Sequence, residues 1–339
     1  MLPYIFFYEA FEEEAEALKR YLPKNISADF SWKTIQETVH ENPPAKIISI
    51  RTQSTIPVDW ADKFDAIITR STGYDHITDY IKLTGSKISA GYLPLYCNRS
   101  VAEQALLLLL ALSRKLSTQI SQFSSFHRNG LTGMEIAKKN IAIVGVGNIG
   151  YEMVKIARGL DMNVLAVDIV KKYDDVNYFS PEEAIRQADI IVCAMNLTSD
   201  NTAYFNYETL KKAKKGVLFI NIARGEFSPA ADLLKLIEEN HLGGVALDVY
   251  DSEKPLAIAL RKNKIDDIMN VEDPLRRKKV KAILALFKKN NVIFTPHNAF
   301  NTKESVERKS EQTIEQLINY KSTGEFIWPV PKLDNWIIG

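Results

Sequence analysis

The sequence predicts an α/β protein with two parallel-sheet domains, one of them inserted into the other. Two observations lead to this prediction. Short apolar runs alternate with polar helical stretches twice along the 339 residues, once before residue 100 and again from residue 140. A last helical stretch, 302–321, follows the second series and most economically returns to the first domain. Such alternation is typical of parallel strands whose sheet is covered by helices.

The first series predicts a doubly wound, flavodoxin-like sheet. We expect strands at 4–8, 47–50 and 66–69, with helices at 11–21, 34–40 and 76–83. A long helix then runs from Ser100 toward Leu116, because Ser100-Val101-Ala102-Glu103 has the form of a capping box. Leucine lies on nearly every face of that helix, which predicts that it is buried between domains or subunits.

The second series is more regular and describes a complete doubly wound domain. Strands are expected near 141–144, 164–167, 190–194, 217–221, 244–248 and 292–295, and helices near 148–160, 181–187, 206–213 and 229–240. The expected division of the chain is therefore 1–99 with 299–339 for the outer domain, and 100–298 for the inserted one.

A glycine-rich turn opens the second series. The motif GVGNIG at 145–150 stands between a strand and a helix, and the next strand ends on Asp168. This arrangement indicates a Rossmann dinucleotide-binding domain. Gly145 permits the tight turn, Gly147 lets the backbone approach a pyrophosphate, and Gly150 lets the helix pack closely. The pyrophosphate is expected at the helix N-terminus, where free amides favour negative charge.

Asp168 indicates which dinucleotide binds. A carboxylate at this position accepts hydrogen bonds from the adenosine ribose and repels a 2′-phosphate. Ile169-Val170 offers no arginine to hold such a phosphate. We therefore predict NAD rather than NADP, bound by Gly145, Gly147, Asn148, Ile149, Gly150 and Asp168.

Composition excludes several classes of protein. The net charge of +1 gives no global field for nucleic acid or for an anionic membrane. The apolar run 105–112 is far too short to span a bilayer. Cys97 and Cys193 form no disulfide framework and no metal-binding spacing, and the N-terminus lacks the basic start of a signal peptide. We expect a cytoplasmic protein with no metal, no nucleic-acid partner and no membrane association.

A basic segment interrupts the second series. Residues 254–289 hold eleven Lys/Arg and four Asp/Glu, and helical spacing of apolar residues starts at Pro274. A solvated surface helix is favoured over an anion site.

Three polar residues follow the late strands, at the edge where doubly wound folds place their active sites. They are Arg224 in NIARG, Glu253 in DVYDSE and His297 in TPHNAF. The planar fork of an arginine suits the adjacent carboxylate and ketone of a 2-oxo acid. A histidine donates a proton near neutral pH to the alkoxide that hydride transfer leaves, and a carboxylate behind it raises its pKa.

These motifs resemble the D-isomer-specific 2-hydroxyacid dehydrogenase family, whose signatures include INxARG-like, DV-aromatic-x-x-E and TPH elements in this order. The resemblance extends over nearly the whole chain. It implies substrate binding by Arg224, a pair of Glu253 with His297 as acid/base, and a homodimer formed through the cofactor domains. From the discontinuous arrangement of the domains we expect the cleft between them to hold the substrate.

Other segments are similar to the family as well. RSTGYDHI at 70–77 resembles a loop whose amides hold the substrate carboxylate, which implies roles for Thr72 and Gly73. The TPHxAF pattern, which ends on Phe300, is shared with members that resemble D-lactate dehydrogenase. Residues 193–206 resemble the strand and loop against the cofactor. The further cofactor contacts that the resemblance implies are Asn196, Thr198 and Ala223.

The chain departs from the family pattern at three places. Gln104 replaces a histidine found in many members, Lys254 replaces a frequent proline, and the insertion after Lys254 is long. The long insertion favours the lactate-type branch. Arg51, after the third strand of the first series, either lies on the surface or reaches the distal end of the substrate and favours a second acidic group.

The function predicted is NAD-dependent reduction of a small 2-oxo acid, with pyruvate to D-lactate favoured. Branched or aromatic 2-oxo acids come next, followed by glyoxylate, hydroxypyruvate and 3-phosphoglycerate. Formate dehydrogenase shares the architecture but pairs its histidine with glutamine, so Glu253 argues against it. A non-catalytic NAD-sensing corepressor is the alternative from another class, although an intact Arg–Glu–His set would be superfluous there.

Overall fold

The computed structural model of the chain describes residues 2–198, 200–261 and 273–331. These form two compact units, one made of Met1–Cys97 with Asn301–Gly339 and the other of Asn98–Phe300. We call them unit 1 and unit 2. Both expected boundaries, 99/100 and 298/299, lie two residues from the observed ones. Part of the basic segment, 262–272, lies outside the described residues.

The helices and strands are numbered in chain order. The strands are β1 (Ile5–Phe7), β2 (Ala28–Phe30), β3 (Ile47–Ile50), β4 (Ala66–Thr69), β5 (Ser89–Gly91), β6 (Asn140–Val144), β7 (Asn163–Val167), β8 (Ile190–Cys193), β9 (Val217–Asn221), β10 (Leu242–Leu247) and β11 (Val292–Phe294). The helices are α1 (Glu12–Tyr21), α2 (Asp75–Thr84), α3 (Asn98–Ser113), α4 (Leu116–Gln122), α5 (Asn148–Gly159), α6 (Pro181–Gln187), α7 (Tyr207–Lys211), α8 (Ala230–Glu238), α9 (Glu253–Arg261), α10 (Pro274–Phe287) and α11 (Lys303–Thr323).

Unit 1 is a doubly wound parallel sheet in the order β2-β1-β3-β4-β5, the flavodoxin-like order. Every residue of β1, β3 and β4 is buried, as continuous apolar runs predict for central parallel strands. On one face Leu18 of α1 packs with Ile314 and Leu317 of α11 in a single apolar cluster. The last helix therefore completes the core that the first ninety residues begin.

Unit 2 is a parallel sheet in the order β7-β6-β8-β9-β10-β11. Tyr178 forms one further parallel bridge with Ala166 of β7. If this bridge is counted as the third strand of the sheet, after β6 and β7, the sheet has the Rossmann order. The next strand, β8, then lies on the other side of β6. The sequence order therefore reverses direction between β6 and β8, and doubly wound folds bind their ligands beside this switch point.

Several predicted elements were wrong in detail. Residues 34–40 form only a 3₁₀ turn, Ile35–Glu37, because the Glu37 carboxylate folds back onto Thr34 and the prolines at 43 and 44 soon follow. The long helix begins at Asn98, so Ser100 is not its cap and instead donates to the Phe300 carbonyl. That helix ends at Ser113 because Lys115 adopts a left-handed φ of 53°.

The long helix is also less buried than its composition suggests. Leu107 and Leu110 of α3 are 54% and 40% exposed, and Ile120 and Phe123 continue this apolar exposure beyond the helix. The edge strands β2 (ADF) and β5 (SAG) were not predicted, since each holds few apolar residues. The helices α4 and α9 were not predicted either.

Candidate active site

The ends of three neighbouring strands of unit 2 bring the predicted catalytic residues together. Asn221, Leu247 and Phe294 lie side by side, each at the carboxyl end of its own strand. Arg224, Glu253 and His297 follow these strand ends within a few residues. Parallel pairing thus places all three at one edge of the sheet.

Glu253 and His297 form a close pair. Nδ1 of His297 lies 2.6 Å from Oε1 of Glu253, and both side chains are largely buried. Burial alone would lower the pKa of the imidazole, but the Glu253 carboxylate more than offsets this and the pKa is raised. Asp248 acts in the same direction and the Arg224 guanidinium opposes them, so Arg224 lies within electrostatic reach of the ring. The pair with Glu253 therefore favours the protonated form of the ring.

Asp248 is a residue of this site that sequence reasoning missed. Its carboxylate accepts the backbone N–H of Asn298 and of Ala299, both at 2.9 Å, and the hydroxyl of Thr295. The bonds hold the loop in which His297 adopts a left-handed φ of 50°. Burial raises the pKa of Asp248 although these donors oppose it. The sequence feature that could have revealed Asp248 is an acidic residue directly after the apolar strand β10, two residues before Tyr250.

Asn221 holds the loop that carries Arg224. Its side-chain amide donates to the Arg224 carbonyl at 2.8 Å and accepts the Ala223 N–H at 3.0 Å. Gly225 follows, and a Cβ there would lie 1.9 Å from the backbone carbon of Tyr250. Only glycine permits this approach, which brings the Arg224 loop against the loop leading to Glu253.

The glycine-rich turn has the geometry that a dinucleotide needs. Gly145 has a left-handed φ of 95°, and a Cβ on Gly150 would lie 1.9 Å from the Gly145 carbonyl oxygen. Within the described part of the chain, and apart from Gly147 and its two neighbours, no atom lies within 4 Å of the position that a Cβ on Gly147 would take, so a pyrophosphate could approach its backbone. Residues 145–150 therefore fit the pyrophosphate of a dinucleotide.

Asp168 lies over this turn. One carboxylate oxygen accepts the Val146 N–H at 2.6 Å and the other accepts the Val170 N–H at 3.0 Å. These two bonds orient the carboxylate at the carboxyl ends of β6 and β7, where an adenosine ribose is expected.

The remaining predicted cofactor residues lie on the loops after β6, β8 and β9. The Asn148 side chain accepts from Lys172 Nζ at 2.8 Å, and Ile149 is partly buried in the same helical turn. Asn201 bridges Asn196 and Thr198 with two 2.8 Å bonds. Ala223, bound to Asn221, adjoins Arg224.

Two of the predicted substrate residues belong to unit 1. Thr72 and Gly73 lie on the loop between β4 and α2, where Thr72 Oγ1 is 3.4 Å from Cys97 Sγ. Ser71 donates to the Gly73 carbonyl at 2.7 Å and fixes the loop. Phe300 is the last residue of unit 2 and is buried. None of the helices in the described part of the chain is long and apolar enough to cross a membrane.

Comparison with known proteins agrees with this arrangement. The profile of the D-isomer-specific 2-hydroxyacid dehydrogenase NAD-binding domain matches residues 106–299. A 2-hydroxyacid dehydrogenase homolog of Zymomonas mobilis is 33% identical over 261 residues, 74% of each chain. An aromatic 2-oxoacid reductase of Clostridium sporogenes is 30% identical over 264 residues, 76% of each chain.

A solved structure extends the likeness to the whole fold. D-lactate dehydrogenase of Aquifex aeolicus, complexed with NAD and lactic acid, superposes with a TM-score of 0.80 at 25% identity. The match covers 97% of this chain and 100% of the other. The chain therefore belongs to the D-isomer-specific 2-hydroxyacid dehydrogenase family, in its D-lactate dehydrogenase-like branch, and is an NAD-dependent oxidoreductase.

Proposed function

We propose that the enzyme reversibly transfers hydride between NADH and C2 of a small 2-oxo acid, with His297 as the acid/base. The observation that supports this most is the 2.6 Å pair of Glu253 and His297 at the same sheet edge as Arg224. A structural histidine would need no buried carboxylate behind it and no cation within electrostatic reach.

Each predicted site residue has its own role in the proposed reaction. When bound, NADH is the hydride donor for C2. Arg224 binds the substrate carboxylate and polarises the ketone through its planar fork. Glu253 stabilises the protonated ring of His297, and His297 donates its outer N–H proton to the carbonyl oxygen as that oxygen gains negative charge. Thr72 and Gly73 supply backbone amides to the carboxylate, and Phe300 contributes apolar contact. The oxidation reverses each step.

The first substrate to test is pyruvate, since a similar structure is that of a D-lactate dehydrogenase. The similar Clostridium sporogenes reductase is named for aromatic 2-oxo acids, so the panel includes these. Branched 2-oxo acids, glyoxylate and hydroxypyruvate complete it. We expect NADH absorbance to fall with at least one 2-oxo acid and to be unchanged with formate and NAD. If NADH binds but no 2-oxo acid is reduced, the proposed dehydrogenase activity is wrong. The result would then favour a non-catalytic NAD-sensing protein.

Asp168→Ala should weaken NADH binding by about tenfold or more, because the charged acceptor for the ribose is lost. The preference for NADH over NADPH should become smaller. The matched variant Asp168→Asn keeps an acceptor for the Val146 N–H while removing the charge. Both should gain activity with NADPH relative to NADH. The ratio of kcat/KM for the two cofactors measures this, and an unchanged ratio in both variants contradicts the assignment.

We further propose a cytoplasmic homodimer formed through unit 2. Exposed Leu107, Leu110, Ile120 and Phe123 on α3, on α4 and just after α4 support this, because apolar side chains grouped on a surface favour a partner. Light scattering of the purified protein gives the mass directly.

A further inference from the structure

Three polar side chains next to the Thr72–Gly73 loop are joined by hydrogen bonds and have no part in the proposed reaction. Thr69 is the last residue of β4, Ser71 lies at the start of the loop, and His76 is the second residue of α2. Thr69 Oγ1 lies 3.0 Å from His76 Nε2 and 2.6 Å from Ser71 Oγ. Ser71 Oγ in turn lies 2.7 Å from the carbonyl oxygen of Gly73. We call His76, Thr69 and Ser71 the hydrogen-bond chain.

The direction of the hydrogen-bond chain follows from the number of protons in it. A carbonyl oxygen only accepts, so Ser71 donates its single hydroxyl proton to Gly73. Thr69 then donates to Ser71, because two oxygens 2.6 Å apart need a proton between them. The Thr69 oxygen is therefore the acceptor from His76, and Nε2 of His76 carries a proton. All three bonds point from the imidazole toward the Gly73 carbonyl.

Burial makes the geometry of the hydrogen-bond chain specific. Thr69 is fully buried and Ser71 is 7% exposed, so water does not readily replace a lost partner. A buried hydroxyl without its partner is unfavourable, and hydrogen bonds in a poorly solvated place are stronger than in water. The hydrogen-bond chain therefore favours one orientation of the Gly73 carbonyl, and with it one orientation of the loop.

The loop is held at three successive residues by groups other than its own N–H donors. The Leu93 N–H donates to the Ser71 carbonyl at 3.1 Å. Thr72 Oγ1 lies 3.4 Å from Cys97 Sγ, and the Gly73 carbonyl accepts the Ser71 hydroxyl. Within residues 2–198, 200–261 and 273–331, no group accepts a hydrogen bond from the backbone N–H of Thr72 or of Gly73. The loop thus presents two available donors on partly exposed residues.

From these contacts we infer that His76, Thr69 and Ser71 position the loop whose two N–H groups bind the substrate carboxylate. Two donors bind one carboxylate well only when both point toward it, and bonds to a charged acceptor are the strong ones. Removal of any member of the hydrogen-bond chain releases the Gly73 peptide and weakens both bonds. His76 is in this account a positioning residue and transfers no proton. The inference rests on the proposed function and adds the residues that set substrate affinity.

Such a role predicts a larger effect on KM than on kcat. The carboxylate is bound alike before and during hydride transfer, so poorer positioning of its donors removes binding that the two states share. NADH is assigned to unit 2, whereas the hydrogen-bond chain lies in unit 1. We therefore expect the affinity for NADH to be unchanged when the hydrogen-bond chain is broken.

The first test removes the two hydroxyl groups one at a time. Thr69→Val keeps the shape of the side chain, and Ser71→Ala removes the donor to Gly73. In each variant we expect KM for the best 2-oxo acid of the panel to rise by about three- to tenfold, with kcat within about twofold of the wild-type value. Thr69→Ser restores the hydroxyl and should return KM close to the wild-type value.

The matched control is Thr78→Val. Thr78 is a buried threonine of α2 whose hydroxyl donates to the Asp75 carbonyl at 2.8 Å, outside the hydrogen-bond chain. The substitution removes one buried hydrogen bond from the same unit, so it should lower stability without raising KM. This control separates a loss of positioning from a loss of stability.

The second test addresses the start of the hydrogen-bond chain. His76→Phe removes the donor, whereas His76→Gln keeps an amide N–H near the position of Nε2. We expect KM to rise in His76→Phe and to stay close to the wild-type value in His76→Gln. Nitrogen NMR of wild-type protein labelled at histidine should show a protonated Nε2 at His76, assigned by the signal lost in His76→Gln.

The possible outcomes separate this inference from the proposed function. If the wild-type enzyme reduces a 2-oxo acid but KM is unchanged in Thr69→Val, Ser71→Ala and His76→Phe, the inference is wrong and the proposed function is intact. An equal rise of KM in Thr78→Val, or no rescue by Thr69→Ser, would also overturn it. An unprotonated Nε2 would contradict the direction of the bonds. If no 2-oxo acid is reduced, both proposals are wrong.

Discussion

His297→Ala should lower kcat for 2-oxo acid reduction by about 10²–10⁴-fold, the usual contribution of a positioned general acid. The ring is largely buried against Glu253, and no other titratable group is assigned as proton donor to the carbonyl oxygen. Because His297 has a left-handed φ, His297→Asn is the second variant, since asparagine tolerates this backbone conformation. Steady-state kcat with saturating NADH measures the effect.

The control for this prediction is His127→Ala, which removes an exposed histidine from the same unit. Binding of NADH, followed by fluorescence, should be little changed in the His297 variants, since no cofactor contact is assigned to the imidazole. Turnover near the wild-type value in both His297→Ala and His297→Asn would remove His297 from the acid/base role.

Glu253→Gln should reduce kcat by about 10²-fold or more. Glutamine keeps an oxygen that can accept the Nδ1 proton, so the orientation of the ring is preserved and only the charge is lost. The imidazolium is then buried without the carboxylate that raises its pKa. Glu253→Ala, which removes the acceptor as well, should be at least as impaired. Near wild-type kcat in Glu253→Gln would mean that the carboxylate acts on something other than the proton donor.

Much of unit 2 could be predicted from the sequence because its strands are apolar and alternate regularly with helices. The six strands of its sheet and the helices α5 and α6 lie where the periodicity placed them. In unit 1 the edge strands β2 (ADF) and β5 (SAG) hold too few apolar residues to form a pattern. The capping box of Thr34 and Glu37 is typical of the start of a helix, but here it closes only a short 3₁₀ turn.

The candidate site likewise contains residues that could be predicted from the sequence and residues that could not. Arg224, Glu253 and His297 could be predicted because each follows a strand end, and parallel strands bring such ends together. Asp248 and Asn221 were missed because they act through backbone N–H and carbonyl groups, and sequence patterns of side chains do not reveal such bonds. Both are polar residues within apolar strand ends, which is the signal that could have found them.

The buried ion pairs of Glu14 with Arg70 and with Lys309 in unit 1 could not be predicted from the sequence. Glu14 and Lys309 are separated by almost the whole sequence, and only the return of α11 to unit 1 brings them within 2.8 Å. Contacts of this kind depend on the topology rather than on any local motif.

The most direct test of the proton-donor assignment is the pH profile of kcat/KM for 2-oxo acid reduction. Reduction needs the protonated ring, so activity should be high at low pH and should fall as the pH rises through the raised pKa of His297. In Glu253→Gln we predict that this fall occurs at a clearly lower pH, because the attracting carboxylate is gone while burial continues to lower the pKa. Oxidation of the 2-hydroxy acid should show the opposite dependence. A reductive profile that falls at the same pH in both proteins would contradict the pairing of Glu253 with His297 as the source of the proton.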